Sequence, residues 1–196
     1  MGMTINGTRE KVLAVAEEML YQGGYTQTSI EDIIVRARVS KSNFYYHFRS
    51  KEELGMAVLE RRMQEFDHSL RATLNDDALP PRERLARFLE QVIRAQEETL
   101  QKGGCPFGNL VVEMSERSER FRCRLSSMFN ALVDRLAEVI RLGQQEGVFR
   151  EDVPARDLGA LVLHTLQGMQ LITKCEKCVD GSRRSARVLR ILLERV

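Results

Sequence analysis

Three helix-start signals fall within 23 residues, at Thr28, Ser40 and Ser50, and such spacing admits only short helices joined by tight turns. Thr28 precedes "SIEDIIVRA" with Glu31 three residues on, the spacing at which hydroxyl and carboxylate satisfy each other's free backbone amides. Ser40 caps the next helix after a very short link, and Ser50 caps another, with Glu53 completing the same box. Ahead of them, Val12, Val15, Ala16 and Met19 form the stripe of a first helix, which stops at Gly23-Gly24, where left-handed backbone is cheap. Ile30, Ile33 and Ile34 then face the core.

Downstream the helices lengthen. One runs from Lys51 towards Leu74, and Pro81 starts another that continues through Leu100. Gly103-Gly104 ends that helix, and Pro106 sits where a first turn tolerates a missing amide. Phe121 to Leu142 is amphipathic and stops at Gly147, and two further helical patterns close the chain. No alternating β-branched run bounded by hairpin turns occurs, so the expected fold class is all-α. A functional division falls near residue 50, with the helix from Lys51 as connector.

Charge is local. From Arg36 to Lys51 there are five Lys or Arg and no Asp or Glu, and the remainder of the 196-residue chain carries a formal net −3. A basic patch on a near-neutral chain is what a polyanionic partner requires. The N-terminus lacks the apolar stretch of a signal peptide, and no apolar run approaches the roughly 20 residues that span a bilayer. The expectation is a cytoplasmic protein with no membrane partner, whose four cysteines are free thiols.

The basic stretch also carries four aromatic rings. At about 100° per residue, Phe44 and Phe48 point one way. Ser42, Asn43 and Tyr46 point the other, with Tyr45 and His47 at the rims. This pattern has two readings: a buried aromatic helix with a solvated edge, or a helix that packs with one face and reads with the other. Its position, behind a short turn after a capped helix, is the helix-turn-helix arrangement and favours DNA. Asn43 then pairs with adenine, Lys41 reaches guanine or a phosphate, and Arg38, Arg49 and Lys51 supply phosphate contacts around the ends.

Residues 28 to 54, with "ARVSKSNFYYHF" and "SKEEL", resemble the N-terminal module of TetR-family transcriptional regulators, whose signature is "AGVSKGTLYYHF" and "SKEEL". The resemblance implies residues 1–50 as a three-helix, helix-turn-helix DNA-binding domain and residues 51–196 as a larger helical effector-binding and dimerisation domain. It carries Thr28, Lys41, Ser42, Asn43, Tyr45, Tyr46, His47 and Lys51 over as DNA contacts. Arg38 departs from the pattern, replacing the customary turn glycine, and Asn43 replaces a smaller residue. The implied function is a ligand- or electrophile-responsive regulator, a repressor, that binds a palindromic double-stranded DNA operator as a homodimer.

A two-fold partner doubles the bases read, which one short helix cannot do alone. Leu158, Leu161, Val162, Leu166 and Met169 form one apolar stripe and Val188, Leu189 and Leu192 another, with Gly159 and Gly168 allowing close approach. From the residues alone these stripes serve either a dimer interface or the core; the resemblance favours a four-helix interface. Phe88, Phe107, Met114, Met128, Phe129, His164, Gln167 and Met169 either line an effector cavity or pack the core, and His164 is expected as a hydrogen-bonded core histidine.

Cys105 is the effector or redox-sensing candidate. In "KGGCPFGNL" it precedes a helix N-terminus, where free amides, the dipole and Lys102 stabilise a thiolate. The segment resembles that of TetR regulators that respond to electrophiles; the alternative is a small buried residue at a turn. "CEKC" at Cys175 and Cys178 lacks the second ligand pair of a zinc site and follows no strand. A redox enzyme built on that pair and a helical binding module without DNA contact are the competing functions. With no Ser-His-Asp set, phosphate-cradling glycine loop or paired carboxylates, the expectation is a non-enzyme with no catalytic residues, no metal and no cofactor.

Overall fold

The structure is a computed structural model that describes residues 5–99 and 104–195. Leu100, Lys102 and Gly103 lie outside the described residues. The described chain is helical: α1 Ile5–Gly23, α2 Ile30–Ala37, α3 Lys41–His47, α4 Lys51–Leu70, α5 Pro81–Glu98, α6 Pro106–Met114, α7 Glu119–Gln145, α8 Ala155–Glu176 and α9 Asp180–Leu193. The one extended pairing among these residues is an isolated antiparallel bridge, Phe149 with Glu194. It forms two compact units, Met1–Glu65 with Asn109–Arg122, and Phe66–Gly108 with Cys123–Val196. The expected division at residue 50 falls at the start of α4.

In the first unit the caps set the turns. Gly24, at φ +85°, ends α1 as its left-handed backbone requires. The cap of α2 is Ser29 and not Thr28. Its hydroxyl accepts the Asp32 amide at 3.0 Å, and the Asp32 carboxylate accepts the Ser29 amide at 3.2 Å. The Ser29 hydroxyl, which also donates to Asp32 Oδ2 at 2.5 Å, and after it the Ser29 amide hold the Asp32 carboxyl below the usual range. Thr28 is displaced from that role because its buried hydroxyl donates to the Gly24 carbonyl at 2.8 Å and the Met19 carbonyl at 3.3 Å, closing the α1–α2 turn instead. Ser40 caps α3 through the Asn43 amide at 3.2 Å. Ser50 caps α4 through the Glu53 amide at 3.1 Å, while the Glu53 carboxylate takes the Arg49 amide at 2.8 Å.

The core of this unit is Val12, Leu13, Ala16, Leu20, Ile33, Ala37, Phe44, Phe48, Leu54 and Leu59. The inward stripe of α1 is thus rotated from the expected one: Leu13 and Leu20 are buried where Val15 and Met19 are half-buried. Ile33 is buried, and Ile30 and Ile34 are half-buried at its sides.

The second unit packs around Phe88, Leu89, Leu136, Ile140, Phe149, Val162, Leu166, Leu189 and Leu193. The two apolar stripes divide. Leu158, Val162, Leu166, Met169 and Leu189 are core, whereas Leu161, Val188 and Leu192 are exposed. The two glycines divide as well. A Cβ at Gly159 would lie 3.0 Å from the Val133 carbonyl and the Ala137 amide, so this glycine serves the α7–α8 packing. A Cβ at Gly168 would meet nothing within 4 Å. His164 is exposed, contrary to the expected core histidine, because it lies on the solvent side of α8 between Leu163 and Leu166, which point inward.

Arg38 caps α2 in the left-handed region at φ 51° and ψ 50°, and its amide faces the Ile34 and Val35 carbonyls. A side chain there carries a steric cost of about 1 kcal/mol that glycine avoids. Arg38→Gly should therefore stabilise the fold by about that amount, a rise in Tm of about 2–4 °C for a chain of this size, measured by calorimetry.

Candidate nucleic-acid interface and effector site

The two faces of α3 differ as expected. Phe44 and Phe48 are buried with ring centroids 6.0 Å apart, and the Arg9 guanidinium lies 5.3 Å over Phe48. Opposite them Lys41, Ser42 and Asn43 are exposed, Tyr46 is 71 % exposed, Tyr45 41 %, and His47 half-buried. Tyr46 and His47 meet edge to face at 5.0 Å, which orients the phenol. Ser42 Oγ lies 3.0 Å from Ser40 Oγ and keeps hydrogen-bonding capacity to spare, and Asn43 is exposed beside it at the start of the helix. Hydroxyl, amide and phenol groups on one solvent-facing side are a set that can hydrogen-bond base edges in a major groove.

Two of the expected contacts sit elsewhere. Thr28 is buried, and its hydroxyl donates within the α1–α2 turn. Lys51 is half-buried: its ammonium donates to the Thr26 carbonyl at 3.4 Å and lies 4.6 Å over the Tyr25 ring. Burial lowers its pKa, and the nearby Glu113 opposes that shift. Arg36 pairs with Glu18 at 2.8 Å on the exposed surface. Arg38 and Arg49 are exposed at the two ends of α3.

The turn that carries α2 is held by a residue with no local sequence signal. The Glu113 carboxylate, on α6, accepts the Tyr25 amide at 3.2 Å and the Thr26 amide at 2.8 Å, satisfying two successive donors of the α1–α2 turn. Tyr25 packs edge to face on Phe121 at 5.4 Å, and burial, reinforced by Glu52, pushes its phenol up to about 12. Ser118 Oγ donates to Glu52 at 2.5 Å. Val35, 76 % exposed on α2, is a second feature that no motif announced.

Within the second unit, Cys105 is half-buried at the start of α6. The amides of Gly108 and Phe107 and the Gln167 carboxamide, with Nε2 at 3.6 Å, converge on its sulfur. The expected lowering of its pKa is corrected: burial dominates these donors and raises the thiol above its ordinary value. Lys102, expected to help, lies outside the described residues. Phe88, Phe107 and Met169 are buried core, with Met128, Phe129 and Gln167 half-buried. In the first unit Met114 is buried core too. Cys175 and Cys178 are exposed free thiols around the end of α8.

A capped helix, a tight turn and a second helix with a polar, cation-flanked outer face define a helix-turn-helix DNA-binding protein. Residues 12–58 match the profile of the bacterial regulatory proteins of the tetR family, and residues 81–189 match the tetracyclin repressor-like C-terminal domain. The chain belongs to the TetR family of transcriptional regulators. It is 32 % identical, over 98 % of its length and 96 % of the relative's, to an HTH-type transcriptional regulator in the lacX 3′ region of Lactococcus lactis. It is 31 % identical to the HTH-type transcriptional repressor DhaR of a Mycobacterium species, covering 86 % of this chain and 83 % of DhaR. Among solved structures, a TetR regulatory protein from Rhodobacter sphaeroides superposes with a TM-score of 0.86 at 26 % identity, covering 94 % of this chain and 97 % of that one.

Separating reading from support requires two variants. Tyr46→Ala should weaken DNA binding by about tenfold with an unchanged Tm, as loss of an exposed contact does. Glu113→Ala should lower stability by about 1–2 kcal/mol through the two orphaned amides and weaken DNA binding as well, although Glu113 is no part of the α3 surface. Fluorescence anisotropy and thermal melts on both variants check this.

Proposed function

We propose that this chain is a homodimeric repressor that acts by binding rather than catalysis, holding a palindromic operator until a small-molecule or electrophile effector releases it. The observation that carries the reading is the outward set on α3, Lys41, Ser42, Asn43, Tyr45, Tyr46 and His47, opposite two buried phenylalanines. Arg38 and Arg49 add phosphate contacts, so affinity falls steeply with salt. Residues 1–50 supply the DNA-reading part and 51–196 the effector-binding and dimerising part. Thr28 and Lys51 position the turn rather than touch bases.

A large exposed apolar surface on α8 and α9 supports the dimer. Leu161, Leu171 and Ile172 on α8 and Val188, Ile191 and Leu192 on α9 are each 45–66 % exposed, and Gly168 lies bare among them. Six large apolar side chains on two adjacent helices exceed the scatter usual on a monomer surface. An exposed glycine in such a face lets a partner helix approach closely. An effector releases DNA only as far as it favours a dimer geometry that fits the operator less well.

Cys105 is the site proposed for oxidants or electrophiles, supported by the three donors around its sulfur. Because burial raises its pKa, the thiolate is scarce near neutrality.

Selection of bound duplexes from a random pool should return a two-fold palindrome with half-sites spaced by about 34–36 Å; a single asymmetric half-site would sink the reading. Gly168→Arg should give a monomer by analytical ultracentrifugation and reduce operator affinity by more than about a hundredfold. Alkylation of Cys105 by iodoacetamide, followed by mass spectrometry, should keep accelerating with pH beyond the range in which an ordinary thiol titrates, about 8.5. Alkylation should release the operator from the parent chain and not from Cys105→Ser; equal release from both removes Cys105 as the sensor.

A further inference from the structure

Helices α5 and α9 lie side by side in the second unit, tied by two ion pairs: Arg183, at the start of α9, holds Glu97 near the end of α5 at 2.7 Å, and Arg82, at the start of α5, holds Glu194 just past α9 at 3.5 Å. The two helices are therefore antiparallel. Between the ties runs a groove of about 470 Å³, within the size range of small-molecule sites. Its floor is apolar, formed by Leu89 and Ile93 of α5 and Ala186 of α9. Its walls carry four arginines, Arg94, Arg183, Arg187 and Arg190, against two glutamates, Glu90 and Glu97.

Both glutamates are already engaged, Glu97 by Arg183 and Glu90 by Arg94 at 3.3 Å along α5. The acids at the two ends of α9 are engaged as well: Asp180 lies 3.7 Å from Arg183, and Glu194 pairs with Arg82. Arg187 and Arg190, exposed on the groove wall, form no ion pair among the described residues. Three residues apart, they rise from one face of α9 about 4.5 Å apart along its axis. Like charges at this spacing repel, and Arg183, four residues before Arg187, adds to the repulsion. An anion seated between the two guanidinium groups relieves it and accepts charge-assisted hydrogen bonds from two planar forks. A bare inorganic anion would leave the floor in water, whereas an anion carrying an apolar body covers it. A flat body also stacks on the guanidinium planes. The exposed apolar side chains of α9, Val188, Ile191 and Leu192, are not part of the groove, so the arginines and the dimerising surface occupy different sides of the helix.

We propose that the α5–α9 groove binds a small organic carboxylate with a flat apolar body, its carboxylate held by Arg187 and Arg190 and its body lying over Leu89, Ile93 and Ala186. Cys105 does not line this groove, and the site does not depend on the effector reading given above.

The test uses the full-length protein and 2-naphthoate as the probe. 2-Naphthylmethanol keeps the body without the charge, and acetate and inorganic phosphate keep the charge without the body. Isothermal titration should show 2-naphthoate binding at least about tenfold tighter than each of the three. The double variant Arg187→Gln, Arg190→Gln should weaken it by at least about tenfold, while Arg184→Gln, which removes an exposed charge of α9 outside the groove, should weaken it by less than about threefold. All three side chains are exposed, so both variants should melt within about 2 °C of the parent. Absence of 2-naphthoate binding at millimolar concentration, equal binding of the alcohol, equal binding of phosphate, or equal weakening by Arg184→Gln overturns the proposal. So does a double variant that sediments as a smaller species than the parent, since the two arginines would then serve a contact between copies of the chain.

Discussion

The burial of Phe44 and Phe48 fixes which side of α3 the solvent meets. Each ring contributes about 2–3 kcal/mol when removed from water, and both are at most 1 % exposed. A seven-residue helix has negligible stability by itself. The two rings therefore hold α3 in place and also set its rotation. With that rotation set, Ser42, Asn43 and Tyr46 have no choice but to face outward. The polar character of the outer face has no part in folding, which frees it to be chosen for what it touches.

Much of this was readable from local pattern, because the interactions concerned are local. Helix starts at Ser40, Ser50, Pro81 and Pro106, the stop at Gly24 and the partition of α3 into two faces all depend on residues within one or two turns. The errors have equally physical origins. Thr28 and Ser29 are both competent caps, and only the carbonyls of Met19 and Gly24, brought close by the fold, decide that Thr28 is used elsewhere. Glu113 closes a turn 87 and 88 residues away, which no spacing rule can announce. Cys105 has the helix terminus and amides expected of it, but burial governs the sign of its pKa shift, and burial is a property of the packed unit. The apolar stripes of α8 and α9 were ambiguous for a related reason. Each of these helices has apolar side chains on two faces, and only the packed unit separates core from surface.

The second unit differs from the first in what it leaves unfinished. Polar groups of the reading head find partners nearby, in caps, in the Glu113 clasp and in the bond between Lys51 and Thr26. In the second unit the buried Thr173–Ser182 pair is satisfied, while the buried Gln96 carboxamide has no partner within the protein.

Arg38 occupies backbone that favours glycine. If its guanidinium meets the phosphate backbone, thermal endurance and grip on DNA draw on a single codon, and a lineage cannot raise both at this position. Which residue stands here in a given relative would then report on the demand that governed it.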